Sequence, residues 1–226
     1  LFERALKSEI SAEASFAAPI ATDGTDQAYL AATAADCDAV VDAATGRAAR
    51  VSEKLAATPI TLKARADIKP APREREAPPP AVVTDTLAHF GITGSSGLFV
   101  VEGGGASGKS WVLRAVAVRL ARAQAGAESA WLPLRLALAS LSSIDDAIAA
   151  HDHAEALARA KAERRLVLLL DGLDEVPTDA RPTTLAAVDA AARECVAVVL
   201  CTRPSAANAD ELAPLGFNFF AAMPLS

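Results

Sequence analysis

Three short, unbroken apolar runs constrain this chain more than any other feature: "LFVV" at Leu98–Val101, "LVLLL" at Leu166–Leu170 and "VAVVL" at Val196–Leu200. A run of this length without polar alternation reads as a strand buried on both faces. Helical patterns fill the gaps. "KSWVLRAVAVRLARAQAG" reads as a helix closed by Gly126. "HAEALARAKAERR" reads as a helix whose basic end suits the negative pole of its dipole. "PTTLAAVDAAARE" is a third, with Pro182 in its first turn. "WLPLRLAL" alternates Leu132, Leu134, Leu136 and Leu138 in strand fashion, and Pro133 argues for a sheet edge. "FNFFAAMPL" offers a last strand. Strands alternating with helices build a parallel sheet covered on both sides, so the chain reads as α/β.

The alternation begins only after "KPAPREREAPPP", Lys69–Pro80, whose prolines forbid a continuous helix and favour extended geometry. We read residues 69–82 as a linker between an Ala-rich, helical segment (1–68) and an α/β domain (83–226). Within the first segment, residues 26–57 are expected to form one or two helices broken at Gly46, and they carry no chemical motif. Only 4% of the chain is aromatic and much of its 52% apolar content is alanine, a composition suited to closely packed helices.

A net charge of −6 leaves no basic footprint for nucleic acid or an anionic membrane. No apolar run approaches the ~20 residues of a spanning helix, and no signal-peptide pattern opens the chain. Cys37, Cys195 and Cys201 are too few and scattered for a disulfide framework or a zinc site, and the last two fall in a run that reads as core. A reducing, cytoplasmic setting follows. The "HDH" at His151–His153 lacks spaced partners for a metal and reads as a solvated helix start. The chain begins at a leucine and stops at "MPLS" without a closing element, which suggests a piece of a longer protein.

Between the first buried strand and its helix lies "VEGGGASGKS", which matches G-x-x-x-x-G-K-[ST] at Gly103, Gly108, Lys109 and Ser110. Gly103, Gly104 and Gly105 let successive backbone N–H groups turn toward phosphate oxygens with no Cβ in the way. The helix that follows points its positive end at the same place. Lys109 would reach the β- and γ-phosphates, and the Ser110 hydroxyl would hold Mg²⁺. Ala106, Ser107 and Trp111 complete the candidate binding stretch, although Trp111 and Trp131 read as packing residues rather than base-stacking platforms.

In "LVLLLDGLDEVP" a buried strand ends at Asp171, which emerges at the carboxyl edge of the sheet and can orient Mg²⁺. Asp174 and Glu175 follow within a turn, so either could position an attacking water as general base. In "VVLCTRPSA" another strand ends at Thr202–Arg203. The guanidinium could sense a γ-phosphate and stabilise charge during its transfer, or it could simply pair with Asp171 or Asp174.

Together "GGGASGKS", "LLLDGLDEVP" and "VVLCTRPSA" resemble the NACHT family of STAND-class NTPases, signal-transducing P-loop ATPases of the additional-strand branch and relatives of AAA+ proteins. The resemblance covers roughly residues 98–224. It implies a three-layer sandwich with a parallel sheet of order 2-3-4-1-5, in which "WLPLRLAL" is the edge strand 2. Asp171 matches the family's Walker B magnesium ligand, Asp174 its second acidic position with Glu175 beside it, and Arg203 the arginine of its sensor 1 strand. Ala106 stands where the family commonly has glycine, and Gly105 where it has a small non-glycine residue. The family's helical lid and winged-helix region would lie beyond Ser226.

By resemblance the chain would bind ATP or ADP with Mg²⁺ and hydrolyse ATP slowly, its nucleotide state controlling conformation and homo-oligomerisation. A trigger, protein or nucleic acid, would be sensed by parts outside this chain, in bacterial antiviral defence or regulation, with no membrane involved. Two other classes stay open: a small-molecule kinase, which needs an acceptor pocket, and a scaffold that binds nucleotide without turnover.

Overall fold

The computed structural model describes residues 24–41, 48–53, 62–73, 78–105, 107–127 and 129–222. Its centre is a six-stranded sheet. Leu98–Glu102 (β4), Leu132–Ala137 (β5), Leu166–Asp171 (β6), Ala197–Thr202 (β7) and Asn218–Ala222 (β8) run parallel, and Leu62–Ala64 (β3) is added antiparallel to β8. The spatial order is β3-β8-β4-β7-β6-β5. Numbering the parallel strands from β4, this reads 2-3-4-1-5 from the β5 edge, the arrangement of a P-loop NTPase sandwich. Pro133 lies on the edge strand, where a missing N–H does least harm.

The unbroken apolar runs are explained by the two cores they serve. Leu98, Val100, Leu168, Leu170, Val198 and Leu200 face one layer, where they meet Leu157 of α5 (Ala154–Ala162) and Val188 of α6 (Arg181–Glu194). Their neighbours Phe99, Val101, Val167, Leu169 and Val199 face the other, against Leu87 of α2 (Ala81–Ala88) and Leu113 and Val116 of α3 (Lys109–Ala123). Truncating one of these large side chains to alanine costs about 3–5 kcal/mol. Two short helices complete the layers, α4 (Ile144–Ala149) and α7 (Ala206–Leu212), each capped by a serine that accepts a first-turn N–H.

The region before the prolines keeps the expected helices in part, with residues 24–38 and 51–53 helical, and places a β pair between them. α1 (Gly24–Asp38) forms and packs along α3, burying Tyr29 and Leu30. After Asp38 the chain enters an antiparallel pair, β1 (Ala39–Val41) and β2 (Ala48–Arg50). The physical reason lies partly in β-branched Val40 and partly in Asp38, whose carboxylate accepts the Ser52 N–H at 2.9 Å and pairs with Arg122 at 2.7 Å. Gly46, the expected break, lies outside the described residues. β3 also precedes the prolines, so the sheet draws one strand from that side.

The described part of the proline-rich stretch has no regular secondary structure and is fastened to the domain. The Ala71 N–H donates to the Ala213 carbonyl at 2.8 Å, and Arg73 reaches Asp189 and the Leu215 carbonyl, each at 2.9 Å. His151 and His153 are half-buried rather than solvated, both edge-on to Tyr29 with ring centroids 5.6 Å away. α1 supplies the aromatic surface that the "HDH" spacing gave no hint of. Among the described residues no helix is long and apolar enough to cross a membrane.

Candidate functional site

The loop after β4 leaves the sheet where β4 sits between β7 and β8, and the Gly103 N–H extends the ladder to the Thr202 carbonyl at 3.1 Å. Two glycines are required here for different reasons. A Cβ on Gly103 would lie 2.3 Å from Ser107 Oγ and 3.0 Å from Ala222 Cβ, so there is no room for one. Gly108 sits at φ 84°, ψ 11°, left-handed, and turns the chain into α3. Gly104 and Gly105 are exposed, without positive φ, and a Cβ on either would meet nothing within 4 Å. Of the three consecutive glycines, sterics therefore demand the first. Ala106 lies outside the described residues.

The loop gathers donors. Lys109 Nζ donates to the Gly103 carbonyl at 2.5 Å and to the Gly104 carbonyl at 2.9 Å, so its ammonium is folded against the loop. The Ser107 hydroxyl is buried without a hydrogen-bond partner among the described residues. The N–H groups at the start of α3 add a positive dipole end. A cation, an orphaned hydroxyl and a helix N-terminus around one loop fit an oxyanion such as phosphate. Ser110 is exposed in the first turn of α3, and Trp111 beside it is half-buried.

β6 and β7 bring the acids and the arginine to the same sheet edge. Asp171 closes β6, and the Gly172 N–H donates to the Cys201 carbonyl at 3.1 Å. Leu173–Glu175 form a single 3-10 turn that leaves both Asp174 and Glu175 exposed. Asp174 grips Arg203 twice: Oδ1 accepts its backbone N–H and Oδ2 meets Nε, each at 3.0 Å. Of the two fates left open for Arg203, pairing with Asp174 is the one present. Asp171 remains half-exposed beside it.

Two groups had no signal in the motifs. Cys201, wholly buried between β7 and the start of α3, donates from Sγ to the Lys109 carbonyl at 3.7 Å. Burial pushes its thiol pKa well up, the Asp171 and Asp174 carboxylates push it further, and Lys109 opposes them. That one thiol feels all three charges is an electrostatic sign of how closely they gather. The other is Glu102, 2% exposed at the end of an otherwise apolar strand. A lone acid closing "LFVV" was the available cue.

An open groove of about 560 Å³ lies elsewhere, lined by Asp145, Ile148, Ala158, Lys161 and Glu194 among others. Lys161 bridges Asp145 and Glu194 across it at 2.5 and 2.9 Å, so its charge is already answered.

No protein-family model matches the chain, and no curated protein does either. Among solved structures it is similar to that of C. elegans PCH-2, with a TM-score of 0.37 and 15% identity over 65% of this chain. The match spans 41% of that protein's chain, and it is too loose to carry function across.

Proposed function

We propose that this chain is the nucleotide-binding core of a signalling switch of the NACHT kind, which binds ATP and hydrolyses it slowly. One observation carries this reading: the Lys109 loop, Asp171 and the Asp174–Arg203 pair all project from the carboxyl ends of the neighbouring parallel strands β4, β6 and β7. Gly103–Ser110 and the N-terminus of α3 bind the phosphates, with Lys109 leaving the loop carbonyls for the phosphate oxygens. Ser110 and Asp171 would hold Mg²⁺, which would neutralise phosphate charge. Arg203 moves from Asp174 to the γ-phosphate, and the released Asp174, with Glu175 beside it, accepts the proton of the water whose oxygen attacks the γ-phosphorus as the bond to the β-phosphate oxygen breaks and ADP leaves. The exchange needs little energy, because an ion pair at an exposed arginine is worth about 1 kcal/mol or less. Nucleotide state then biases conformation and homo-oligomerisation in response to a trigger sensed outside this chain.

The Asp174–Arg203 pair also favours a second reading, a scaffold that holds nucleotide without turnover, because it occupies the candidate base. Titrating Lys109→Ala and wild type with Mg·ATP, and measuring phosphate release, tests both. Loss of one charge-assisted contact weakens binding by about tenfold or more. Unchanged affinity in Lys109→Ala would overturn the phosphate loop. Tight binding with no phosphate release, trigger included, would select the scaffold.

A further inference from the structure

Behind the loops lies a buried polar chain centred on Asn208, which is 1% exposed. Its amide nitrogen donates to Glu102 Oε1 at 3.1 Å and to the Arg203 carbonyl at 2.6 Å. Its oxygen accepts from an Arg181 guanidinium nitrogen at 2.6 Å. Both amide hydrogens and the oxygen are thus used. The reverse orientation would set its oxygen against a carboxylate and a carbonyl, and its NH₂ against a guanidinium, so the surroundings fix the flip. Arg181 continues to Glu211 at 2.7 Å and to the Leu173 carbonyl at 3.4 Å. The second Glu102 oxygen takes Arg65 at 2.9 Å.

The places this chain touches decide its meaning. Glu102 immediately precedes Gly103. The Arg203 carbonyl belongs to the arginine that grips Asp174. Leu173 immediately precedes Asp174. One amide and one guanidinium therefore link the carboxylate of the residue before the phosphate loop to the backbone carbonyls of Arg203 and of the residue before Asp174. Hydrogen bonds in the interior are directional and costly to leave unmade, so this fixes the loops relative to one another.

We propose that Asn208 is the positioning residue that sets Arg203 for the terminal phosphate, so that discrimination between ATP and ADP depends on it. This rests on the nucleotide-site reading above. Asn208 touches no nucleotide itself. It acts through the Arg203 backbone, with Glu102 and Arg181 holding it in place.

The test compares binding of Mg·ADP and of Mg²⁺ with a non-hydrolysable ATP analogue, by calorimetry, on the 226-residue chain. Asn208→Asp keeps size and the Arg181 contact but turns an oxygen toward Glu102 and the Arg203 carbonyl. The analogue should bind about tenfold more weakly, the worth of one misplaced charge-assisted contact, while the ADP affinity stays within about threefold. Adding Glu102→Gln restores a donor toward position 208 and should recover Tm, yet the Arg203 carbonyl still faces an oxygen. Discrimination should therefore stay lost. Equal weakening of both nucleotides by Asn208→Asp, or recovery of discrimination together with Tm in the double variant, would overturn the proposal and leave Asn208 a structural plug. Should the single variant not fold, the double variant decides by the same ratio. Wild type that binds neither nucleotide sinks the site reading itself, and this proposal with it.

Discussion

Of the three buried carboxylates among the described residues, Asp26 and Glu102 do different work. Asp26, fully buried on α1, meets Arg159 and, at 3.0 Å, Arg165, whose side chain is 6% exposed and also held by Glu163 and the Ala130 carbonyl. Glu102, at the end of β4, meets Arg65 and Asn208. The first cluster fastens α1 to α5 and to the start of β6, where nothing chemical projects. The second ends on the carbonyls of Arg203 and Leu173, in the loops that carry the candidate site. The difference lies in what the far ends touch. A buried charge cluster that stops at scaffold contributes attachment, whereas one that stops at loop backbone contributes geometry.

Breaking the first cluster gives the largest effect on stability. Asp26→Ala leaves Arg165 in the interior with Glu163 as its remaining anion, and should cost about 3 kcal/mol in chemical denaturation. Nucleotide affinity of the folded fraction should not change. An altered affinity would erase the distinction between the clusters. Arg203→Ala inverts the pattern. Its guanidinium is 66% exposed, so its loss should cost less than about 1 kcal/mol. Phosphate release should nonetheless fall at least tenfold if Arg203 meets the γ-phosphate.

The smallest effect comes from the α1 side, through pH. Burial holds the His151 pKa below its ordinary 6.5, with His153 adding to the shift, and His151 Nδ1 accepts the His153 N–H at 3.1 Å. The fold therefore prefers the neutral ring, and the unfolded chain binds more protons. The stability this ring contributes is present above pH 6.5 and is lost as the pH falls through that value toward its lowered folded pKa. His151→Gln should flatten that slope between pH 7.5 and 5.5 in thermal melts, and an unchanged slope would remove His151 as its source.

What could be read from sequence was local or periodic. Unbroken "LFVV" and "LVLLL" announced strands covered on both faces, and Gly103 and Gly108 announced a loop that must close tightly. The strand order came from the resemblance of three motifs, since spacing alone does not set neighbours. The rest depends on residues far apart in the chain. Arg65 to Glu102 and Asn208 to Glu102 span 37 and 106 positions and leave no periodic trace. β3 is three residues long, too short to show a pattern. Of the one or two helices expected over residues 26–57, α1 forms and residues 51–53 are helical, but between them the chain enters a β pair held through Asp38 by Ser52 and Arg122, side-chain partners no propensity foretells.

Cys37, Cys195 and Cys201 are all buried, and the raised pKa of Cys201 keeps its sulfur protonated as well as hidden. A thiol reagent added to the intact fold thus meets no thiolate and must wait for the structure to breathe. For Cys201 the opening in question separates β7 from the first residue of α3, the joint on which the phosphate loop stands. Its alkylation rate therefore reports every opening that frees β7, that joint included, and it can be read without any nucleotide or turnover assay.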